Sequence, residues 1–334
     1  MHNAPVILID AYSQIFRSFY AIRTLNNKRG EPVNAAYLFI KLLLKLEKQF
    51  PTERGAMFFD CGKVAFRTEI APDYKANRPP MPEDLKVQMP LIRRIATAFG
   101  WQQHQYEGYE ADDLIGGFAK QTACGAIKIV SSDKDLSQLI NERVSMLVPQ
   151  NSANGSFEER GIAEVVAKFG VSPELIVDYL ALIGDSSDNI TGVSGIGPKS
   201  AADLLNTFGG SGRWLDDMSC LESSKYFKKL SGCSELLKRN IGLITLRTTL
   251  PEALSDTGKL LVKKPVDYDD LKEICIDNQF NSILKELPEA PEKKPETASA
   301  DDNEFDLFSF AQQTAAGEKK EEKQPDAQEQ PELF

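Results

Sequence analysis

The stretch VILIDAYSQIFRSFYAI, residues 6–22, decides how the chain is read. Val6 to Ile9 form an apolar run that ends in Asp10, a strand by composition. Tyr12 to Ile22 follow at helical spacing. The pattern recurs downstream. Ala56 to Phe59 is a second short strand ending in Asp60, and Ile127 to Val130 is a third, followed by Ser131, Ser132 and Asp133. Trp101 to Tyr106 reads as a further strand. Helices are expected over Ala35–Leu46, Glu83–Phe99 and Glu110–Gln121. Strands alternating with helices predict an α/β domain with a mainly parallel sheet.

The character changes after about Val171. A helix is expected from Ser172 to Ile183, with Ser172 as N-cap and Pro173 in the first position. A glycine-rich turn, Gly192 to Gly197, leads into a helix over Pro198–Phe208, and helices dominate to about Leu287. From Pro288 the chain is rich in Glu, Lys, Gln, Pro and Ala, a composition expected to stay disordered. The expected division is therefore 1–170, 171–287 and 288–334.

Composition narrows the chemistry. Hydrophobic residues make up 42% of 334, enough for a real core. No apolar run reaches the length of a membrane span. The N-terminus meets an acid by Asp10 with no basic region before it, so no signal peptide is read and the cytoplasm is expected. The five cysteines form no CxxC pair and read as reduced thiols. His2 and His104 are the only histidines, which leaves little for a zinc site or for Ser-His or Cys-His catalysis. Net charge is −10, but residues 289–334 carry 13 acids and 5 bases, so the tail holds most of it.

Three groups of residues point toward a function. In an open parallel sheet, ligands bind beyond the carboxyl ends of the strands. Asp10, Asp60, Asp133 and Asp135 sit at or just after such ends. Glu110, Asp112 and Asp113 open a helix, and Asp185 and Asp188 lie in GDSSDN. Singly, each acid is an ordinary turn or cap residue. Together they are costly unless cations neutralise them, and hard oxygen ligands suit Mg²⁺ or Mn²⁺. Both readings stay open on spacing alone. The second group is GVSGIGPKSA, residues 192–201. Its glycines free the backbone to approach a phosphate, and Lys199 and Ser200 add donors. No Walker loop is present, and a plain helix–turn–helix connection fits as well. The third is the basic, aromatic loop DYKANRPP, residues 73–80.

Taken together, these segments resemble the flap endonuclease family, most of all the 5′–3′ exonuclease domain of bacterial DNA polymerase I. The resemblance rests on VILIDAYSQIFRSFYA, RGEPVNAAYLF, FFDCGKVAFRTEIAPDYKANRPPMPEDL, GYEADDLIG, SSDKDLSQLI and GDSSDNITGVSGIGPKSA, in that order, and covers about Pro5 to Leu287. No polymerase segment follows them, so a stand-alone protein is expected. One departure is Ala11, where a glycine is common after the first Asp.

The resemblance implies a PIN-like nuclease domain with a helical arch, then a helix–three-turn–helix element that grips duplex DNA. It implies two divalent ions, Mg²⁺ with Mn²⁺ able to substitute. Asp10, Asp60, Glu110 and Asp112 would form the inner set, with Asp113, Asp133, Asp135, Asp185 and Asp188 holding the second ion or its waters. Lys75 and Arg78 would stabilise the scissile phosphate, and Tyr20 and Tyr74 would contact DNA. Gly195, Gly197, Lys199 and Ser200 would grip the duplex backbone, with K⁺ on the turn's carbonyls. The implied protein is a monomeric, nucleoid-associated bacterial enzyme of replication or repair, acting on 5′ ends, flaps and nicks. A PIN-like ribonuclease is disfavoured by the helix–three-turn–helix segment and the length. A non-catalytic DNA-binding module is disfavoured because all nine acidic positions are filled.

Two short apolar spots interrupt the polar tail. Phe305, Leu307 and Phe308 lie in EFDLF, and Gln330, Leu333 and Phe334 in QPELF. Both resemble the pentapeptide that binds the bacterial sliding clamp, which makes the clamp an expected partner.

Overall fold

The computed structural model describes residues 4–62, 64–123, 125–150 and 156–288. Its centre is a six-stranded sheet: β1 (Val6–Asp10), β2 (Gly55–Phe58), β3 (Gln102–His104), β4 (Ile127–Val130), β5 (Val144–Pro149) and β6 (Phe157–Arg160). The spatial order is β3-β2-β1-β4-β5-β6. The first five strands are parallel, and β6 runs antiparallel to β5. The chain winds from β1 out to β3, then crosses back to β4 and β5. The crevice between the ends of β1 and β4 is thus the point where the winding reverses, where open α/β sheets take their ligands.

Both faces of the sheet are covered, which is why β1 is apolar at every position before its acid. Val6 and Leu8 join one core with Phe58, Ile129 and Phe118, while Ile7 and Ile9 join the other with Phe39, Ile40 and Ile92. The second core packs α1 (Ala11–Ala21), α2 (Asn34–Gln49) and α5 (Met89–Ala98) against the sheet. Between β2 and α5 the described residues form only two short helices, α3 (Ala65–Ile70) and α4 (Glu83–Lys86), so the expected arch is largely irregular among them. The first core packs α6 (Ala111–Gln121), α8 (Ile176–Ile183), α9 (Pro198–Phe208) and α11 (Ser234–Ile244), with α7 (Ile162–Phe169) and α10 (Phe227–Leu230) at its margins. Asn240 of α11 donates to the carbonyls of Ala181 (3.0 Å) and Thr191 (2.8 Å), pinning the hairpin of β7 (Gly184–Asp185) and β8 (Ile190–Thr191) to α8. No described helix is long and apolar enough to cross a membrane.

The structure corrects the element boundaries in two places. The single helix expected over Glu83–Phe99 is broken at Val87 and Gln88. Pro90 has no N–H to give the ladder, and the buried Gln88 carboxamide turns away to accept from the backbone N–H groups of Ala35 (2.9 Å) and Ala36 (3.2 Å). Gln88 thereby caps the start of α2 from a distance. Ser172 makes no side-chain cap, and Pro173–Leu175 form a 3₁₀ turn before α8 begins at Ile176. Strands β5 and β6 were not anticipated.

Candidate metal centre

Of the two strands beside the crevice, β1 ends in an acid and β4 runs on through Ser131 and Ser132 to Asp133, and a hydrogen bond joins the two ends. Asp10 closes β1 and caps α1, accepting from Ser13 N–H (3.1 Å). Its other oxygen accepts from Ser131 Oγ at the end of β4 (2.8 Å). Asp60, after β2, accepts from Ala111 N–H at the start of α6 (2.8 Å). These contacts set Asp10, Asp60, Asp112 and Asp133 around one cleft of about 880 Å³, together with Tyr12, Phe16, Lys75 and Arg78.

A second group adjoins the first. Asp135, Asp185 and Asp188 present oxygens within 4.8 Å of one another. Asp133 stands between the groups: its charge raises Asp112 and Asp10 on one side and Asp135 on the other. Burial, then like charge, pushes Asp112 and Asp135 well above the usual carboxylate range. Asp10 is pushed up to about 7, first by burial and then by Asp133 and Asp60, against the pull of Ser131 and Ser13. For Asp185 burial acts upward too, but Ser187 and the Lys134 ammonium (3.0 Å) outweigh it and leave its carboxyl low.

These residues fit divalent cations. Asp135 Oδ1 is buried without a hydrogen-bond partner, although buried carboxylate oxygens are normally satisfied. It lies in the one group of three or more ligand-type residues found close enough to share an ion among the described residues. The donors are all hard carboxylate oxygens, which suit Mg²⁺ or Mn²⁺ better than a thiolate-seeking metal.

Two expected ligands are placed differently. Asp113 is fully buried and already engaged on both oxygens. Arg67 Nη1 and Nη2 each donate at 2.7 Å, and Arg247 N–H donates to Oδ1 at 2.8 Å. Asp113 thus anchors a buried arginine, whereas Asp10, Asp60, Asp112 and Asp133 line the cleft. Glu110, the N-cap of α6, accepts from Arg67 (3.0 Å), Lys75 (2.7 Å) and Tyr74 (3.3 Å), so its carboxylate faces cations. Sequence reading missed Arg67, which also donates to Leu243 O (2.9 Å) and so ties α3 to α6 and α11. It missed Lys134 as well, although that residue's place between Asp133 and Asp135 was a visible signal.

Loop 73–78 is stitched onto the acidic loop 185–189. Lys75 N–H donates to Asp188 O (3.0 Å), Asn77 to Ser186 O (2.6 Å), and Asn189 to Asp73 O (2.8 Å). Lys75 and Asn189 both hold left-handed backbone, φ 56° and 59°, which costs a non-glycine residue roughly 1–2 kcal/mol and persists only where surroundings enforce it. The strain brings Lys75 over Glu110 and sets Arg78 at 2.5 Å from Asp188. Burial pulls the Lys75 ammonium down, but Glu110 and Asp188 more than restore it, so it stays charged. Burial and the same two acids hold the Tyr74 phenol far above its usual range, which keeps it a donor to Asp188 (3.1 Å).

The remaining expected contacts lie on the surface. Tyr20 is 66% exposed and stacks on Phe16 with 15° between the rings. Lys199 and Ser200 open α9, and Gly195 takes φ +76° in the turn before it. In that turn the Lys229 ammonium donates to Gly195 O (2.7 Å). The tail residues Phe305, Leu307, Phe308, Gln330, Leu333 and Phe334 lie outside the described residues.

The 5'-3' exonuclease N-terminal resolvase-like domain family matches residues 5–170, and the 5'-3' exonuclease C-terminal SAM fold matches residues 171–267. A 5'-3' exonuclease from Aquifex aeolicus is 36% identical over 84% of this chain and 94% of its own length. DNA polymerase I from Pseudomonas aeruginosa is 41% identical over 63% of this chain, and the match spans 23% of that protein. Among solved structures, T5 5'-exonuclease with bound zinc ions superposes with TM-score 0.59 at 23% identity, covering 82% of this chain and 99% of that one. The catalytic core of Rad2 in complex with DNA substrate gives TM-score 0.59 at 17% identity, over 86% and 93%. The two structures speak to the fold, while the family matches and the near full-length Aquifex relative speak to descent: this chain belongs to the 5'-3' exonuclease family.

Proposed function

We propose that this chain is a structure-specific 5′–3′ exonuclease and flap endonuclease that hydrolyses DNA phosphodiesters with divalent metal. The observation that carries the reading is the crowd of carboxylates at the β1/β4 crevice, with Asp135 Oδ1 left for an ion to satisfy. Asp10, Asp60, Asp112 and Asp133 would hold one Mg²⁺, and Asp135, Asp185 and Asp188 a second, with Mn²⁺ able to replace either. Ions held there would supply an activated water and neutralise charge on the reacting phosphate. The protein's own cations do the rest. Lys75 and Arg78 line the cleft and are the donors at hand for a phosphate entering it. The water oxygen bonds to phosphorus, the bond from phosphorus to the 3′ oxygen breaks, and the products carry 5′-phosphate and 3′-hydroxyl ends. Tyr20 offers an exposed ring to a frayed base without sequence preference.

The reading divides the chain into a nuclease domain (1–170), a helical duplex-binding region (171–287) and a tail (288–334). Gly195, Gly197, Lys199 and Ser200 would meet the duplex backbone. The tail would tether the enzyme to a sliding clamp through its two Leu-Phe pentapeptides and raise its local concentration at nicks and flaps. Replication or repair in a bacterial cell is the setting this implies.

Three expectations test the reading. The first concerns stability. Asp10 rises from 3.8 to about 7 in the fold, and an acid raised by folding weakens the fold as pH climbs from the lower value to the upper. Metal-free protein should therefore melt at lower temperature at pH 8 than at pH 5. Saturating Mg²⁺ should raise Tm at pH 8 by on the order of 5–10 °C, given ~2.7 kcal/mol at a hundredfold excess over Kd. The gain should shrink at pH 5, and equal gains at both would contradict linkage to these acids.

The second concerns cleavage. Asp112→Asn and Asp133→Asn should fold normally yet lose nearly all Mg²⁺-dependent cleavage of labelled 5′-flap DNA. Lys75→Ala should slow single-turnover cleavage by about 100-fold or more while changing DNA affinity far less. Full activity in both Asp variants, or a pure affinity loss in the Lys75 variant, would refute the assigned roles. The third concerns the tail. A labelled peptide ending in QPELF should bind the cognate clamp, and Leu333→Ala with Phe334→Ala should abolish binding. Failure of both the peptide and the intact chain to bind would remove the clamp from the account.

A further inference from the structure

Lys75 and Asn189 are two of the three non-glycine residues that hold left-handed backbone among the described residues, and they meet across the seam between loops 73–78 and 185–189. They are not equal partners. Asparagine adopts this conformation more readily than most residues, and lysine has no such preference. Lys75 is therefore the strained member and needs its neighbours to hold it. Its N–H donates to Asp188 O (3.0 Å), and its ammonium donates to Glu110 (2.7 Å). Asp188 O lies on the planar peptide unit that leads into Asn189, so the backbone of Asn189, at φ 59°, helps fix where that acceptor points.

The half-buried side chain of Asn189 closes the seam from the other direction. Its Nδ2 donates to Asp73 O (2.8 Å) and reaches Asp73 Oδ2 (3.2 Å). Asp73 is held in turn by Arg239 of α11, whose Nη2 donates to Oδ1 (3.1 Å). Each loop thus gives one hydrogen bond to the other, and the two bonds flank Tyr74. Lys75 lines the cleft and Asn189 does not.

We propose that Asn189 is a positioning residue for Lys75. Its side-chain amide, bonded to Asp73, holds loop 73–78 against the acidic loop and keeps the Lys75 ammonium over the cleft. The inference rests on the proposed role of Lys75 at the scissile phosphate and assigns the residue that aims it. A cation displaced from its place slows the chemical step and leaves binding largely alone.

The test uses the full chain with Asn189→Gly and Asn189→Asp. Both leave left-handed backbone accessible, and both remove the donor. Each should slow single-turnover cleavage of a labelled 5′-flap DNA by about 10-fold, with DNA affinity within about twofold of wild type. The Mg²⁺ concentration giving half-maximal rate should be unchanged in Asn189→Gly. In a Lys75→Ala background the same substitutions should cost less than about twofold, because residues that act through one group do not add. Hydrogen exchange, read without metal or DNA, should be faster in Asn189→Gly at residues 73–78 and 185–189 and unchanged in β1 and α2. Wild-type rates in both Asn189 variants would overturn the inference, as would an undiminished loss in the Lys75→Ala background. A raised Mg²⁺ requirement that accounts for the lost rate would assign Asn189 to the acids instead, and faster exchange throughout the fold would make its role merely structural. If Lys75→Ala itself cleaves at the wild-type rate, the reading of Lys75 fails and this inference with it. A slow Lys75→Ala beside a fast Asn189→Gly sinks only the role of Asn189.

Discussion

Mutual repulsion of carboxylates at the carboxyl end of the sheet is the constraint around which this molecule is organised. Asp10, Asp60, Asp112 and Asp133 share one cleft, and Asp135, Asp185 and Asp188 adjoin it. Burial strips water from several of them and raises their pKa values, so their charge is relieved either by protons or by cations. Everything nearby answers that demand. Serines and backbone N–H groups take single oxygens, as Ser131 does for Asp10. Lys134, Lys75 and Arg78 pair with the outer acids.

The response has two layers with different physics. Arg67 and Asp113 form a fully buried, doubly hydrogen-bonded pair that faces no solvent and no cleft. Breaking such a pair leaves an uncompensated buried charge, which costs about 3–5 kcal/mol. Its role is therefore to fix α6 against α3 and α11, which in turn fixes where Glu110 and Asp112 stand. The outer layer is different. Lys75 and Arg78 sit in a strained loop whose cations can exchange a carboxylate for another anion, because both line the cleft. The inner layer sets geometry, and the outer layer is the one that would meet a substrate under the proposed function.

Much of this was legible in the sequence because short apolar strands ending in acids report their own geometry. VILID and FFD fix where Asp10 and Asp60 emerge, and IVSSD does so for Asp133. The β1/β4 switch point then brings those ends together. What could not be read was pairing across long separations. Nothing near Asp113 says that Arg67 and the backbone of Arg247 will claim both of its oxygens, so it counted as one more ligand. Nothing near Gly195 shows that Lys229 will settle on its carbonyl. The helix expected across Glu83–Phe99 failed for the same kind of reason: Gln88 is drawn away by the unsatisfied start of α2.

The central claim is that the crowded acids are a cation site and not a set of turn and cap residues. Anomalous diffraction from crystals soaked in Mn²⁺ tests it without relying on activity. The account predicts one peak among Asp135, Asp185 and Asp188 and another among Asp10, Asp112 and Asp133, with none at Asp113. No peak at either position in excess Mn²⁺, or a peak on Asp113 in place of Arg67, would contradict it.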